Sequence, residues 1–221
     1  MSIAQNLLHI KSQLPNHVTL VAVSKTKPVS DLMEAYQAGQ RIFGENKIQE
    51  MTDKCEQMPK DIKWHMIGHV QTNKVKYMAE YVSLIHGVDS MKLLQEINKQ
   101  ALKHNRIIDC LLQIYIAKEQ SKFGLDETEL FELINSIEFK ELQNIRIVGL
   151  MGMATFTENQ NQIKAEFQQL KTIFDTINNQ ENLKLETLSM GMSGDYELAI
   201  SCGSNMVRIG SSIFGNRNYQ H

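Results

Sequence analysis

The stretch Thr19-Leu20-Val21-Ala22-Val23-Ser24-Lys25-Thr26-Lys27-Pro28 decides how the chain is read. Its first five residues are apolar or β-branched, which favours a strand, and Pro28 ends any extended ladder. Successive side chains on a strand point to opposite faces, so Val21, Val23 and Lys25 share one face. Seven more runs of this kind follow, at residues 41–43, 63–67, 82–86, 108–115, 146–150, 185–188 and 206–209. Helical patterns lie between them, at 29–38, 47–57, 91–104, 127–137 and 160–178. In the last of these, Ile163, Phe167, Leu170, Phe174 and Ile177 recur at helical spacing. Strands that alternate with helices call for a parallel sheet covered by helices.

Eight strands predict an α/β fold, a single (β/α)8 TIM barrel over residues 1–221. Almost nothing follows strand eight, but an amphipathic segment at residues 2–14 precedes strand one and can take the eighth outer position. At 221 residues the chain is close to the lower limit of about 200 for such a barrel, so its loops must be short. The alternative is an open doubly wound sheet. No Gly-rich GxGxxG turn follows the first strand, which weakens a dinucleotide-binding version of it.

Composition sets further bounds. Hydrophobic residues make up 42% and charged residues 22%, which excludes a disordered or collagen-like chain. A formal charge of −2 provides no basic field for nucleic acid or an acidic membrane. Cys55, Cys110 and Cys202 lie far apart without a CxxC, so neither a disulfide framework nor a zinc site is expected. No apolar run reaches the roughly 20 residues of a membrane span. The first fourteen residues lack the basic start and apolar block of a signal peptide, so the cytoplasm is the expected location.

In a barrel of this kind, chemistry sits where the strands end. Lys25 is the sharpest candidate. Pointing into the mouth, it would be partly desolvated, and its neutral amine could attack an aldehyde. The plain alternative is a loop lysine that reaches water. Lys27 is a rival, but Pro28 follows it. Ser193, Gly194, Gly210, Ser211 and Ser212 at the ends of strands seven and eight offer hydroxyls and uncrowded N–H groups for an anion, or simply permit tight turns. Arg208 shares its phase with Met206 and needs an acceptor, either a carboxylate such as Glu45 or a ligand's ring nitrogen or phosphate. Asn46 orients a ligand or, more simply, caps the next helix. His65 and His69 straddle a strand end, so helical metal-ligand spacing does not apply to them. Trp64 reads as a structural residue, and the methionines of 151–153 and 190–192 read as core or ring-packing residues.

Taken together, these segments resemble a known family. The resemblance is carried by residues 20–28, by Phe43-Gly44-Glu45-Asn46-Lys47-Ile48-Gln49-Glu50 and by Trp64-His65-Met66-Ile67-Gly68-His69-Val70-Gln71-Thr72-Asn73-Lys74. It continues through Ser121-Lys122-Phe123-Gly124, Gly149-Leu150-Met151-Gly152-Met153, residues 188–193 and Val207-Arg208-Ile209-Gly210-Ser211-Ser212-Ile213-Phe214-Gly215. In these motifs the chain resembles the pyridoxal phosphate homeostasis proteins, relatives of the alanine racemase N-terminal barrel. Ser211 stands where the family often has threonine, and either hydroxyl can bind phosphate.

The resemblance implies a barrel that holds pyridoxal 5′-phosphate as a Schiff base on Lys25. It implies that Ser193, Gly210 and Ser211 hold the phosphate, that Arg208 faces the pyridine nitrogen and that Asn46 lies near the ring. The implied role is vitamin B6 homeostasis without catalysis, with apo forms of pyridoxal-phosphate enzymes as candidate recipients. A related racemase carries a second domain that delivers a tyrosine base. Here Tyr219 is the only tyrosine in the short tail, and Lys25 is the only evident base, so a racemase-like enzyme is the weaker reading. A cofactor-free aldolase using Lys25 leaves Arg208 unexplained. Loss of the dimerising domain predicts a monomer.

Overall fold

The computed structural model describes residues 2–118, 123–180 and 183–215. Eight parallel strands close into a barrel in chain order: β1 (Thr19–Val23), β2 (Ile42–Glu45), β3 (Lys63–Met66), β4 (Leu84–Val88), β5 (Ile108–Gln113), β6 (Ile145–Met151), β7 (Thr187–Ser189) and β8 (Met206–Ile209). Closure is direct, with Thr19 opposite Met206 and Val21 opposite Arg208. The (β/α)8 reading therefore holds, and the open doubly wound sheet is excluded.

The outer layer begins before the barrel, as the sequence predicts. Ser2 starts α1 (Ile3–Gln13) with a capping box, its hydroxyl accepting from Gln5 N–H while the Gln5 side chain accepts from Ser2 N–H. The other helices are α2 (Val29–Gln37), α3 (Ile48–Gln57), α4 (Met91–Lys103), α5 (Glu127–Asn135), α6 (Ile137–Lys140), α7 (Gln160–Asn179), α8 (Tyr196–Ser201) and α9 (Ser211–Phe214). Two details differ from expectation. A 3-10 helix at Thr72–Tyr77 makes the crossover from β3 to β4. The four residues of α9 follow β8, and α1 packs on them, with Asn6 Nδ2 donating to Ile213 O at 3.1 Å.

Two apolar layers result from strand alternation. Phe43 and Trp64 belong to the layer between sheet and helices, with ring centroids 5.9 Å apart, so Trp64 is a packing residue. Inside the barrel, Val21, Leu84, Leu111, Met151 and Met206 form a small buried plug. Each such side chain contributes about 1.5–3 kcal/mol through burial. The inward phase then turns polar toward the C-terminal ends. His65, His86, Ser189 and Arg208 are all buried there. That change converts a packed core into the floor of a site.

Candidate functional site

A cavity of about 970 Å³ opens at the C-terminal ends of the strands. Lys25, Asn46, Ser193, Arg208, Gly210 and Ser211, all six predicted residues, line it. Lys25 follows β1 by two residues and lines the cavity together with Val23, as period-two alternation requires. Lys27 also lines it, but its Nζ donates to Phe214 O at 2.8 Å, which ties it to α9.

The backbone around Lys25 is held from both sides. Ser24 Oγ donates to Glu45 Oε1 at 2.6 Å, and Lys54 Nζ donates to Ser24 O at 2.8 Å. Thr26 N–H donates to Glu50 Oε1 at 2.6 Å. Thr26 has φ of +64°, a left-handed conformation that is unfavourable for a β-branched residue and needs such support. Lys54 joins the cluster by ion pairs of 2.7 Å to Glu45 and to Glu50. Burial pushes the Glu45 carboxyl above its usual range, against the pull of Lys54 and Ser24. Its Oε2 is the one buried side-chain oxygen or nitrogen without a hydrogen-bond partner among the described residues. Glu45 is thus committed to Lys54 and is not the partner of Arg208.

Arg208 sits on the cavity floor. Its Nη1 donates to Ser189 O at 2.9 Å and to Ser189 Oγ at 2.6 Å, and its Nη2 donates to Gly152 O at 3.1 Å. None of these acceptors carries a charge. Burial lowers the guanidinium to about 10, with Asp195 acting on it in the opposite direction, so it is still a cation at neutral pH. Among the described residues it has no ion-pair partner, and such a buried cation is costly unless something else supplies acceptor capacity. Three of its five N–H groups are used by these acceptors.

Beside Arg208, the loops that follow β7 and β8 come together. The β7 loop turns at Gly191, where φ is +98° and an added Cβ would lie 2.7 Å from the Ala199 Cβ, so only glycine fits. Asp195 Oδ1 accepts from Met192 N–H at 2.6 Å and fixes this turn. Ser193 Oγ accepts from Gly210 N–H at 3.3 Å, which leaves its own hydroxyl proton to donate. An added Cβ at Gly210 would press on Val23, at 3.1 Å from its carbonyl oxygen, so the glycine lets β8 approach the end of β1.

The structure decides between alternatives that sequence reasoning left open and adds groups that it missed. Asn46 does not cap α3; the N-cap is Lys47, which makes no side-chain cap bond, and Asn46 lines the cavity instead. Met151 and Met190 are core residues, but Met153 and Met192 line the cavity. Gln113, Phe123, Thr155 and Phe156 were missed. The inward phase of β5, through Leu111, could have indicated Gln113. His69 also lines the cavity, so Lys25 is not the only titratable candidate base there. Its Nδ1 lies 3.5 Å from Asp89 Oδ2, and its ring stacks on Phe123 at 4.3 Å. No cluster of metal-binding side chains occurs among the described residues. Ser121, Lys122 and Tyr219 lie outside the described residues.

Known proteins share this fold and sequence pattern. The family model "Alanine racemase, N-terminal domain" matches residues 1–218. A pyridoxal phosphate homeostasis protein of Vibrio alginolyticus is 43% identical, over 99% of both chains. The structure of PipY of Synechococcus elongatus PCC7942, solved with PLP bound, is similar with a TM-score of 0.88 and 37% identity, over 97% of this chain and 100% of PipY. An alanine racemase of Clostridium difficile 630 shares the fold alone, with a TM-score of 0.79 at 15% identity over 99% of this chain and 60% of the racemase. By its sequence, its barrel and the order of its motifs, the chain belongs to the pyridoxal phosphate homeostasis proteins of the alanine racemase N-terminal domain family.

Proposed function

We propose that the chain binds pyridoxal 5′-phosphate as a Schiff base on Lys25 and takes part in intracellular vitamin B6 homeostasis without turning over a substrate. The observation that carries this reading is the buried Arg208 cation, whose hydrogen-bond acceptors among the described residues are all uncharged, in the same cavity as Lys25. An aromatic ring nitrogen supplies the missing acceptor. A phosphate supplies acceptors for the hydroxyls of Ser193 and Ser211. The homeostasis proteins among its relatives and the PLP-bound PipY support the choice of ligand.

Bound there, the cofactor contributes an aldehyde that captures primary amines and a ring that withdraws electrons. The chain's own residues determine how much of that chemistry is used. Ser24 and Thr26, fixed by Glu45, Glu50 and Lys54, aim Lys25 at the cavity. Arg208 keeps an adjacent ring nitrogen unprotonated by like-charge repulsion, which limits stabilisation of a carbanion. Lys25, Ser193 and Ser211 are then sufficient to hold and release an aldehyde phosphate, with apo-enzymes as recipients. We place this activity in the cytoplasm and in a monomer. No helix among the described residues is long and apolar enough to cross a membrane.

His69 favours a second reading, a racemase-like enzyme, because it puts an imidazole beside Asp89 at the mouth that Lys25 also lines. Incubation of the loaded protein with L- and D-alanine in deuterium oxide separates the two readings. The carrier reading expects no rapid α-hydrogen exchange. Exchange that disappears in both Lys25→Ala and His69→Gln would establish the enzyme.

A further inference from the structure

Beneath Arg208, a chain of polar side chains crosses the barrel interior. Ser189 Oγ accepts from Arg208 Nη1 at 2.6 Å and lies 3.1 Å from His86 Nδ1. His86 Nε2 lies 3.0 Å from His65 Nδ1. The four residues come from β8, β7, β4 and β3, and all are buried. The cavity lining includes Arg208 but not the other three.

The hydrogens in this chain can be assigned from its first member. A guanidinium only donates, so Ser189 Oγ must accept from it. The hydroxyl proton of Ser189 then has His86 Nδ1 as its acceptor. If His86 Nδ1 carried a proton instead, that hydroxyl would be left as a buried unsatisfied donor, which is costly. His86 is therefore protonated on Nε2 and donates to His65 Nδ1, which leaves the His65 proton on its own Nε2. Both imidazoles must be neutral for this order. Burial, with the nearby Lys63 charge, lowers His65 to about 3, and burial, with His65 and Arg208, lowers His86 well below its ordinary range.

We propose that Ser189, His86 and His65 form a one-way hydrogen-bond relay, Arg208→Ser189→His86→His65, that positions the guanidinium for the ring end of the bound cofactor. They are positioning residues, not catalytic ones. The relay is the only tie from β3 and β4 to the Arg208 head group among the described hydrogen bonds. Its ligand consequence rests on the reading under Proposed function, whereas its proton order does not.

Two measurements test it. Nitrogen-15 spectra of the ligand-free protein should show both imidazoles neutral and protonated on Nε2 at pH 7; a proton on Nδ1 of either would overturn the relay, whatever the protein binds. In the second, His86→Leu and the milder Ser189→Ala are titrated with pyridoxal phosphate and with pyridoxal. Each variant should bind both ligands about tenfold more weakly, equivalent to about 1.4 kcal/mol, and its visible absorption band should shift. His86→Gln, whose amide can both accept and donate, should recover most of the loss. Variants that only melt earlier, with affinity and band unchanged, would show a structural role and overturn the proposal. Failure of the wild type to bind either ligand would sink the proposed function while leaving the nitrogen spectra to judge the relay.

Discussion

Acid should unfold this protein through its buried imidazoles, and the effect can be worked from His65. Its ordinary value of 6.5 falls to about 3 in the fold. Between those values the unfolded chain binds a proton that the folded chain rejects, so stability falls as the pH falls. The contribution is complete above pH 6.5 and is lost progressively down to about pH 3. At pH 4.5 the two units below 6.5 correspond to about 3 kcal/mol, at about 1.36 kcal/mol per unit. His86 acts in the same direction. Glu45 acts in the opposite direction, because a carboxyl raised by burial is more readily protonated in the fold. Urea unfolding of the wild type and His65→Gln at pH 7 and pH 4.5 isolates the imidazole. The wild type should lose about 3 kcal/mol more than the variant over this interval, a midpoint shift larger by about 1 M or more at ordinary urea slopes. Equal losses would refute burial of a neutral His65.

Other perturbations have equally specific outcomes. The double variant Ser193→Ala, Ser211→Ala should bind pyridoxal phosphate at least about tenfold more weakly, since each hydroxyl bond to a dianion contributes about 1.5–3 kcal/mol; pyridoxal, titrated in parallel, should hardly respond. Lys54→Met leaves the Glu45 carboxylate buried without its ion pair and should cost about 3–5 kcal/mol in chemical denaturation. That loss should be smaller at pH 5 than at pH 8, because Glu45 then takes up a proton. Gly149→Ala should prevent a stable fold, seen as loss of the cooperative thermal transition, because its Cβ would overlap the backbone carbonyl oxygen of Thr187 across the β6–β7 ladder.

Much of this architecture was legible in the chain, for identifiable reasons. β1 and β8 have the predicted bounds because their apolar, β-branched residues agree with burial on both faces. The same alternation located Lys25 and Arg208. β2 runs two residues further than predicted because Gly44 and Glu45, weak strand formers, are carried into the ladder by pairing with His65 and Met66. Alternation could also have decided between the two partners of Arg208. Gly44 packs inward against Val21, so Glu45 must face the helix layer, where Lys54 meets it. The relay was not legible. His65, His86 and Ser189 come from separate strands, and only closure of the barrel brings their side chains together.

The most direct test of the account is where the cofactor attaches. The protein is loaded with pyridoxal phosphate, reduced with borohydride, digested and mapped by mass. The reduced pyridoxyl group should be found on Lys25, and Lys25→Ala should show neither the adduct nor the visible band that reduction bleaches. An adduct confined to Lys27 or Lys74, or a visible band that survives in Lys25→Ala, would contradict the account.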